Sequence, residues 1–308
     1  MTKPHIAISI GDLNGIGIEI ALKAHNQINK ICTPHYCISN TMLQQAAKKL
    51  ASSIPDDFIT HEIKGNFAIE PGKVSAQSGR YSYDSFLHAV DLVRSNQCNA
   101  VVTLPIHKEA WEKAGIAYKG HTDMLRDLFK EEAIMMLGCE AMYVALYTEH
   151  LPYKEVASKI EKEKLCRFLL NLAKHLPQNE PIGVLGLNPH AGDNGVLGDE
   201  ERIIEEAISL ANSKIGKKIF CGALVPDTAF TPANRKRFRY FVAMYHDQGL
   251  IPLKALYFDE SINISLNLPI IRTSVDHGTA FDIAYKNKAS LKSYINAVNA
   301  AIEYSQTS

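Results

Sequence analysis

Three histidines, His150, His190 and His246, each lie a few residues beyond a short apolar run that reads as a strand. A parallel sheet could gather them at its carboxyl edge although they are far apart in the chain. Three imidazoles around an open coordination position make a catalytic metal site rather than a closed structural one. Imidazole nitrogen suits zinc and neighbouring transition metals better than magnesium. Asp247, beside His246, could orient that ring as a supporting carboxylate or accept a proton. In the same stretch, residues 244–278 (MYHDQGLIPLKALYFDESINISLNLPIIRTSVDHG), Lys254 and Arg272 flank Asn263 in segments that read as strands. A lysine and an arginine in one pocket suit phosphate or carboxylate, the arginine through a bidentate fork and the lysine as a point charge.

The elements that must carry these residues read as an α/β chain. Residues 5–10 form a buried strand, then the loop GDLNGIG, then an apolar-periodic helix through Ile18, Ile20, Ala21 and Leu22. The glycines at 11, 15 and 17 do not fit the dinucleotide fingerprint, and no Walker motif occurs. Further strands are expected at 36–39, 100–104, 141–147, 182–187 and 240–245, with helices at 41–50, 83–93, 161–175, 200–211 and 291–304. Residues 52–79 are polar and turn-rich and yield no clear element. Ligands of open α/β sheets sit beyond the carboxyl ends of strands, which gives weight to Thr103, His107 and Lys108 after AVVTL. In GHTDMLRDLF, Thr122 or Asp123 is expected to cap a helix over 124–129, with His121 at its entrance.

The 308 residues carry 33 basic and 33 acidic side chains, so no global field points to nucleic acid or a membrane surface. No apolar run approaches the length of a membrane helix, and the N-terminus carries no signal-peptide pattern. Six cysteines without a C-x-x-C pair favour a reduced cytoplasm. The partner is therefore expected to be a small molecule.

Several long blocks, in order, resemble the 4-hydroxythreonine-4-phosphate dehydrogenase (PdxA) family of pyridoxine biosynthesis: GDLNGIGIEI, VTLPIHKEAWEKAGI with GHTD, LNPHAGDNGVLGDEE, PDTAFTP, AMYHDQGLIPLK and IRTSVDHGTAFDIA. The resemblance implies NAD(P)-dependent oxidation and decarboxylation of 4-(phosphooxy)-L-threonine to 3-amino-2-oxopropyl phosphate. It implies a divalent metal (zinc, cobalt, magnesium or manganese) on His150, His190 and His246, and substrate on His121, Thr122, Lys254, Asn263 and Arg272. Asp276, His277 and Gly278 are cofactor candidates, and Asp247 is the candidate base. The fold it implies is a two-lobed α/β/α unit similar to isocitrate and isopropylmalate dehydrogenases, with approximate lobes 1–120 plus 265–308 and 121–264, and the active site in the cleft between them. Family members are homodimers with the site at the subunit interface. Leu13, Asn14 and Asp123 depart from the family's usual residues. From the residues alone, a metal-dependent hydrolase or aldolase acting on a phosphorylated small molecule is the competing reading.

Overall fold

The computed structural model describes residues 3–307. Its strands are β1 (His5–Ser9), β2 (Thr33–Cys37), β3 (Ile59–His61), β4 (Ala100–Thr103), β5 (Ile134–Cys139), β6 (Met142–Leu146), β7 (Ile182–Leu185), β8 (Phe220–Leu224), β9 (Tyr240–Ala243), β10 (Ile262–Leu266) and β11 (Arg272–Val275). The chain divides into two compact units, Met1–Glu132 with Ile262–Ser308, and Ala133–Ser261. The first boundary thus falls after the helix His121–Phe129 rather than before it.

In the first unit the strand order is β3-β2-β1-β4-β11-β10. All neighbours are parallel except β10, which runs antiparallel to β11. Strands β4 and β11 are buried at every position, as is β1 after His5, which is what a parallel sheet covered on both faces requires of its sequence. The helix Ala76–Arg94 packs on β1, and Lys292–Thr307 packs on β11 and β4. In the second unit the order is β5-β6-β9-β7-β8, with a β5–β6 hairpin at one edge and parallel pairing elsewhere.

Three local expectations change. The stretch HDQGLIPLKALY is a helix, His246–Tyr257, so Lys254 is helical and not on a strand. Gly249, Leu250 and Leu253 are its buried residues, a helical spacing that outweighs the hydrogen bond lost at Pro252. A side chain at Gly249 would meet Val144 Cγ1 at 2.6 Å, so glycine lets this helix lie close to the sheet. The helix expected over 124–129 begins at His121, with Gly120 as the cap residue and no side-chain cap. Asp123 Oδ2 instead accepts the Lys119 amide at 3.1 Å, and the earlier start turns His121 and Thr122 inward, where both are buried. Strand β5 had no expectation, and the turn-rich segment 52–79 contributes the short strand β3. The cysteines are all free thiols, five buried and Cys221 half-buried. No described helix is long and apolar enough to cross a membrane.

Candidate active site

Register explains the first cluster. Thr103 pairs with Ser274 across β4 and β11, Ser274 with Asn263, and Arg272 with Ser265. Residues paired on neighbouring strands share a face, as do residues two apart, so Thr103, Arg272, Asn263 and Ser265 all project from one face of the first sheet. Arg272 is 3% exposed. Its Nε and Nη2 donate to Thr103 Oγ1 at 3.1 and 2.7 Å, Nη1 donates to Ser265 Oγ at 3.3 Å, and Nη2 donates to His121 Nδ1 at 3.0 Å. All of these acceptors are neutral. Burial without a carboxylate pulls the Arg272 pKa down from 12.5 to about 9. His121 is held well below the usual imidazole range, by burial first and by the Arg272 charge second. Thr122 Oγ1 lies 3.5 Å from Ser265 Oγ. Asn263 Oδ1, His121 Nε2 and Ser9 Oγ are buried polar atoms without a protein partner.

The expected substrate residues His121, Thr122, Asn263 and Arg272 therefore belong to one unit. Lys254 belongs to the other, its Nζ 5.9 Å from the Phe258 ring. Ser265 was not anticipated, although INISL alternates polar and apolar residues and sets Ser265 on the face of Asn263. Thr103, weighted only for ending a strand, is the principal acceptor for Arg272.

Beyond β11, the Asp276 amide donates to Ser293 Oγ at 3.2 Å. His277 Nδ1 lies 3.0 Å from Gly278 O, its Nε2 is buried without a partner, and a side chain at Gly278 would meet open space. In the GDLNGIG loop the amides of Asp12, Asn14, Gly15 and Ile16 are engaged within the protein: Asp12 N with Pro105 O, Asn14 N with Asp12 Oδ1, Gly15 N with Asp12 O and Ile16 N with Thr279 O. At the departure Asn14, the side chain bonds Glu70 N and Lys73 O at 2.9 and 2.8 Å, tying the loop to the turn-rich segment. Leu13, the other loop departure, is fully buried, and its carbonyl accepts from Tyr285 Oη.

In the second unit the three histidines follow neighbouring parallel strands, β6, β9 and β7. Thr148 Oγ1 donates to Met244 O at 2.6 Å. Gln248 joins β9 to β7, accepting from Met244 N and donating to Gly186 O, both at 2.7 Å. The rings of His150 and His246 have centroids 5.5 Å apart. His246 Nδ1 pairs with Asp247 Oδ1 at 2.7 Å, and Tyr153 Oη donates to Asp247 Oδ2. These bonds, Tyr153 first and His246 second, hold Asp247 below the usual carboxylate range. A cleft of about 740 Å³ beside Asp247 is lined by Tyr153, Phe230, Tyr245 and Ile251 among others.

His190 lies on a left-handed turn in which residues 190–194 all have positive φ. Buried Glu201 secures the entry: Oε1 accepts Leu187 N and Asn188 N at 2.7 Å each, and Oε2 accepts Asn188 Nδ2 at 2.9 Å. Burial opposes ionisation of Glu201, but the bonds from Asn188 and the two amides prevail and its pKa falls. His190 itself is exposed. Among the described residues no three His, Cys, Asp or Glu side chains are gathered as a metal-ligand set.

A buried arginine with neutral partners in one unit, and in the other a histidine oriented by a carboxylate next to a second histidine, define an α/β protein equipped for polar ligand chemistry. Residues 30–301 match the pyridoxal phosphate biosynthetic protein PdxA family. The chain is 62% identical to 4-hydroxythreonine-4-phosphate dehydrogenase of Sulfurimonas denitrificans over 302 residues, 98% of each chain. It is 54% identical to that of Campylobacter fetus over 304 residues, 98% of this chain and 99% of the other. The crystal structure of the Klebsiella pneumoniae 4-hydroxythreonine-4-phosphate dehydrogenase aligns with a TM-score of 0.83 at 32% identity, covering 99% of this chain and 98% of that one. The chain belongs to the PdxA family.

Proposed function

We propose that this chain is a 4-hydroxythreonine-4-phosphate dehydrogenase, which oxidises and decarboxylates 4-(phosphooxy)-L-threonine to 3-amino-2-oxopropyl phosphate with NAD or NADP. The observation that carries the reading is Arg272, a buried guanidinium whose bonded partners are the neutral Thr103, Ser265 and His121. A cation left with neutral partners calls for an anion from the ligand. His121, Thr122 and Asn263 supply hydrogen bonds beside it, and Lys254 is assigned to substrate as a second point charge.

The donor chemistry at His150 and His246 fits a divalent metal. With its Nδ1 bonded to Asp247, His246 keeps Nε2 for coordination, the usual arrangement of a carboxylate-supported ligand. His190 is assigned as the third ligand, and zinc, cobalt, magnesium or manganese as the ion. The unpartnered His277 Nε2 and the open space at Gly278 fit a cofactor held by residues 276–278. When bound, the ion supplies Lewis-acid polarisation of the alcohol oxygen and the nicotinamide supplies the hydride acceptor. Asp247 orients His246; its two hydrogen bonds and lowered pKa make it a poor proton acceptor, so of its two candidate roles we assign orientation.

We further infer a cytoplasmic homodimer. Ile251, Phe258, Tyr153 and Val196 of the second unit are 64–77% exposed, large apolar side chains suited to a subunit contact. The test is an assay of 4-(phosphooxy)-L-threonine with NAD and with NADP, after chelation and readdition of each metal. Reduced nicotinamide is expected to accumulate, and no reduction under any pairing overturns the proposal.

A further inference from the structure

The bonds around Arg272 constrain more than its own position. A guanidinium has five N–H donors and no acceptor. Since Arg272 Nη2 reaches His121 Nδ1 at 3.0 Å, Nδ1 must be the unprotonated nitrogen. The ring proton then sits on Nε2, and that nitrogen is buried without a protein partner. A half-turn about Cβ–Cγ would put Cδ2 in place of Nδ1 and forfeit the Arg272 bond, and two flanking rings hold the imidazole in place. Phe86 meets it edge-on with centroids 4.4 Å apart at 70°, and Trp111 does so at 5.5 Å and 84°. Trp111 is in turn fixed by its Nε1 bond to Ser82 Oγ at 2.8 Å.

The guanidinium that sets this state is itself braced. Thr103 Oγ1 accepts from both Nε and Nη2 along one edge of the fork, and Ser265 Oγ accepts from Nη1 on the other side. Both oxygens come from strands that flank β11, so the brace is part of the sheet. A threonine hydroxyl accepting two bonds spends its lone pairs on the arginine and directs its own hydrogen away, and Thr103 Oγ1 lies 3.5 Å from Thr273 O in that role.

We propose that Thr103 and Ser265 are positioning residues that hold Arg272 so that it locks His121 as a neutral Nε2–H donor facing the anionic group of the ligand. The lock excludes His121 as a general base, because the nitrogen turned to the ligand carries the proton. It also gives the pocket a fixed pattern: one cation and one neutral N–H donor, suited to the oxygens of a phosphate or carboxylate and unsuited to a cationic group. The low imidazole pKa agrees, since burial and the adjacent charge both oppose a second ring proton. The inference rests on the reading of Arg272 as the anion anchor.

The experiment is long-range ¹⁵N–¹H correlation spectroscopy on full-length protein labelled at histidine, with His121→Gln used to assign the signal. The wild type is expected to show the Nε2–H tautomer, with a shift of the His121 resonances on titration with inorganic phosphate. An Nδ1–H or doubly protonated ring overturns the proposal and leaves the anion-site reading standing. An Nε2–H ring that phosphate does not move supports the lock and overturns the anion-site reading instead. In turnover assays, Thr103→Val is expected to raise KM for the phosphorylated substrate about tenfold with a smaller change in kcat, and to populate a tautomer mixture. Thr103→Ser, which keeps the acceptor, is expected to restore both. A single Nε2–H tautomer and an unchanged KM in Thr103→Val overturn the positioning role.

Discussion

Replacing Arg272 by methionine separates a ligand-binding arginine from a structural one. The side chain is 3% exposed, and its pKa falls from 12.5 to about 9 through burial. At about 1.4 kcal/mol per unit, that fall corresponds to roughly 5 kcal/mol of charge burial that the empty protein carries. Against it stand the bonds to Thr103, Ser265 and His121, each worth on the order of 1 kcal/mol, with three acceptors left unpartnered on removal. The two contributions nearly cancel. In urea unfolding, ligand-free Arg272→Met is expected to lie within about 2 kcal/mol of the wild type, although a fully buried charged residue has been deleted. Breaking a buried ion pair from one side would instead cost about 3–5 kcal/mol.

The second half of the experiment adds inorganic phosphate. An anion that binds only the folded protein raises unfolding free energy by about 2.7 kcal/mol at a hundred times its dissociation constant. That increment is expected in the wild type and absent in Arg272→Met. A variant destabilised by about 4 kcal/mol or more that still gains stability with phosphate would refute the reasoning, since it would make Arg272 a structural cation.

Three further outcomes follow from the same geometry. Glu201→Gln turns one acceptor oxygen into a donor facing Asn188 Nδ2, so a loss of about 2–3 kcal/mol in denaturant unfolding is expected, together with weaker metal binding through the His190 turn. His35 sits between His5 Nδ1 at 2.8 Å and His61 Nε2 at 2.9 Å, and burial, His61 and His5 lower its pKa from 6.5 to about 4. A base with a depressed folded pKa stabilises the fold above its unfolded value, so thermal midpoints should fall as pH drops from 6.5 towards 4, and His35→Gln should flatten that dependence. Tyr153→Phe removes the hydroxyl that holds Asp247, and about a tenfold loss of metal affinity by calorimetry is expected with the fold intact.

How far these features are legible in the chain depends on whether their cause is local. His150, His190 and His246 could be tied to strand ends because a strand that stops at a polar residue delivers it to a carboxyl edge, and β6, β9 and β7 do lie side by side in parallel. Asn263 and Arg272 stood out because each interrupts an apolar alternation. Lys254 was misread because a dense apolar run around Pro252 suits a strand as well as a helix. The helix buries Gly249, Leu250 and Leu253 on one face, and a side chain at Gly249 would meet Val144 of a distant strand, contacts that a reading of the local run does not contain. The segment 52–79 offered no period because what holds it is remote: Asn14 binds Glu70 and Lys73, and Gln45 binds Phe67 O and Ile69 N.

The proposed positioning roles of Thr103 and Ser265 are not legible in spacing for the same reason. Each is a small hydroxyl residue of a type common in any strand. What brings them to Arg272 is pairing register: a shift of β10 or β4 by one residue against β11 would turn Ser265 or Thr103 to the other face. Arg272 would then keep its charge and lose its acceptors. The proposed anion site is therefore a property of three strands in one register, and a sequence read strand by strand reveals its cation but not the neutral oxygens bonded to it.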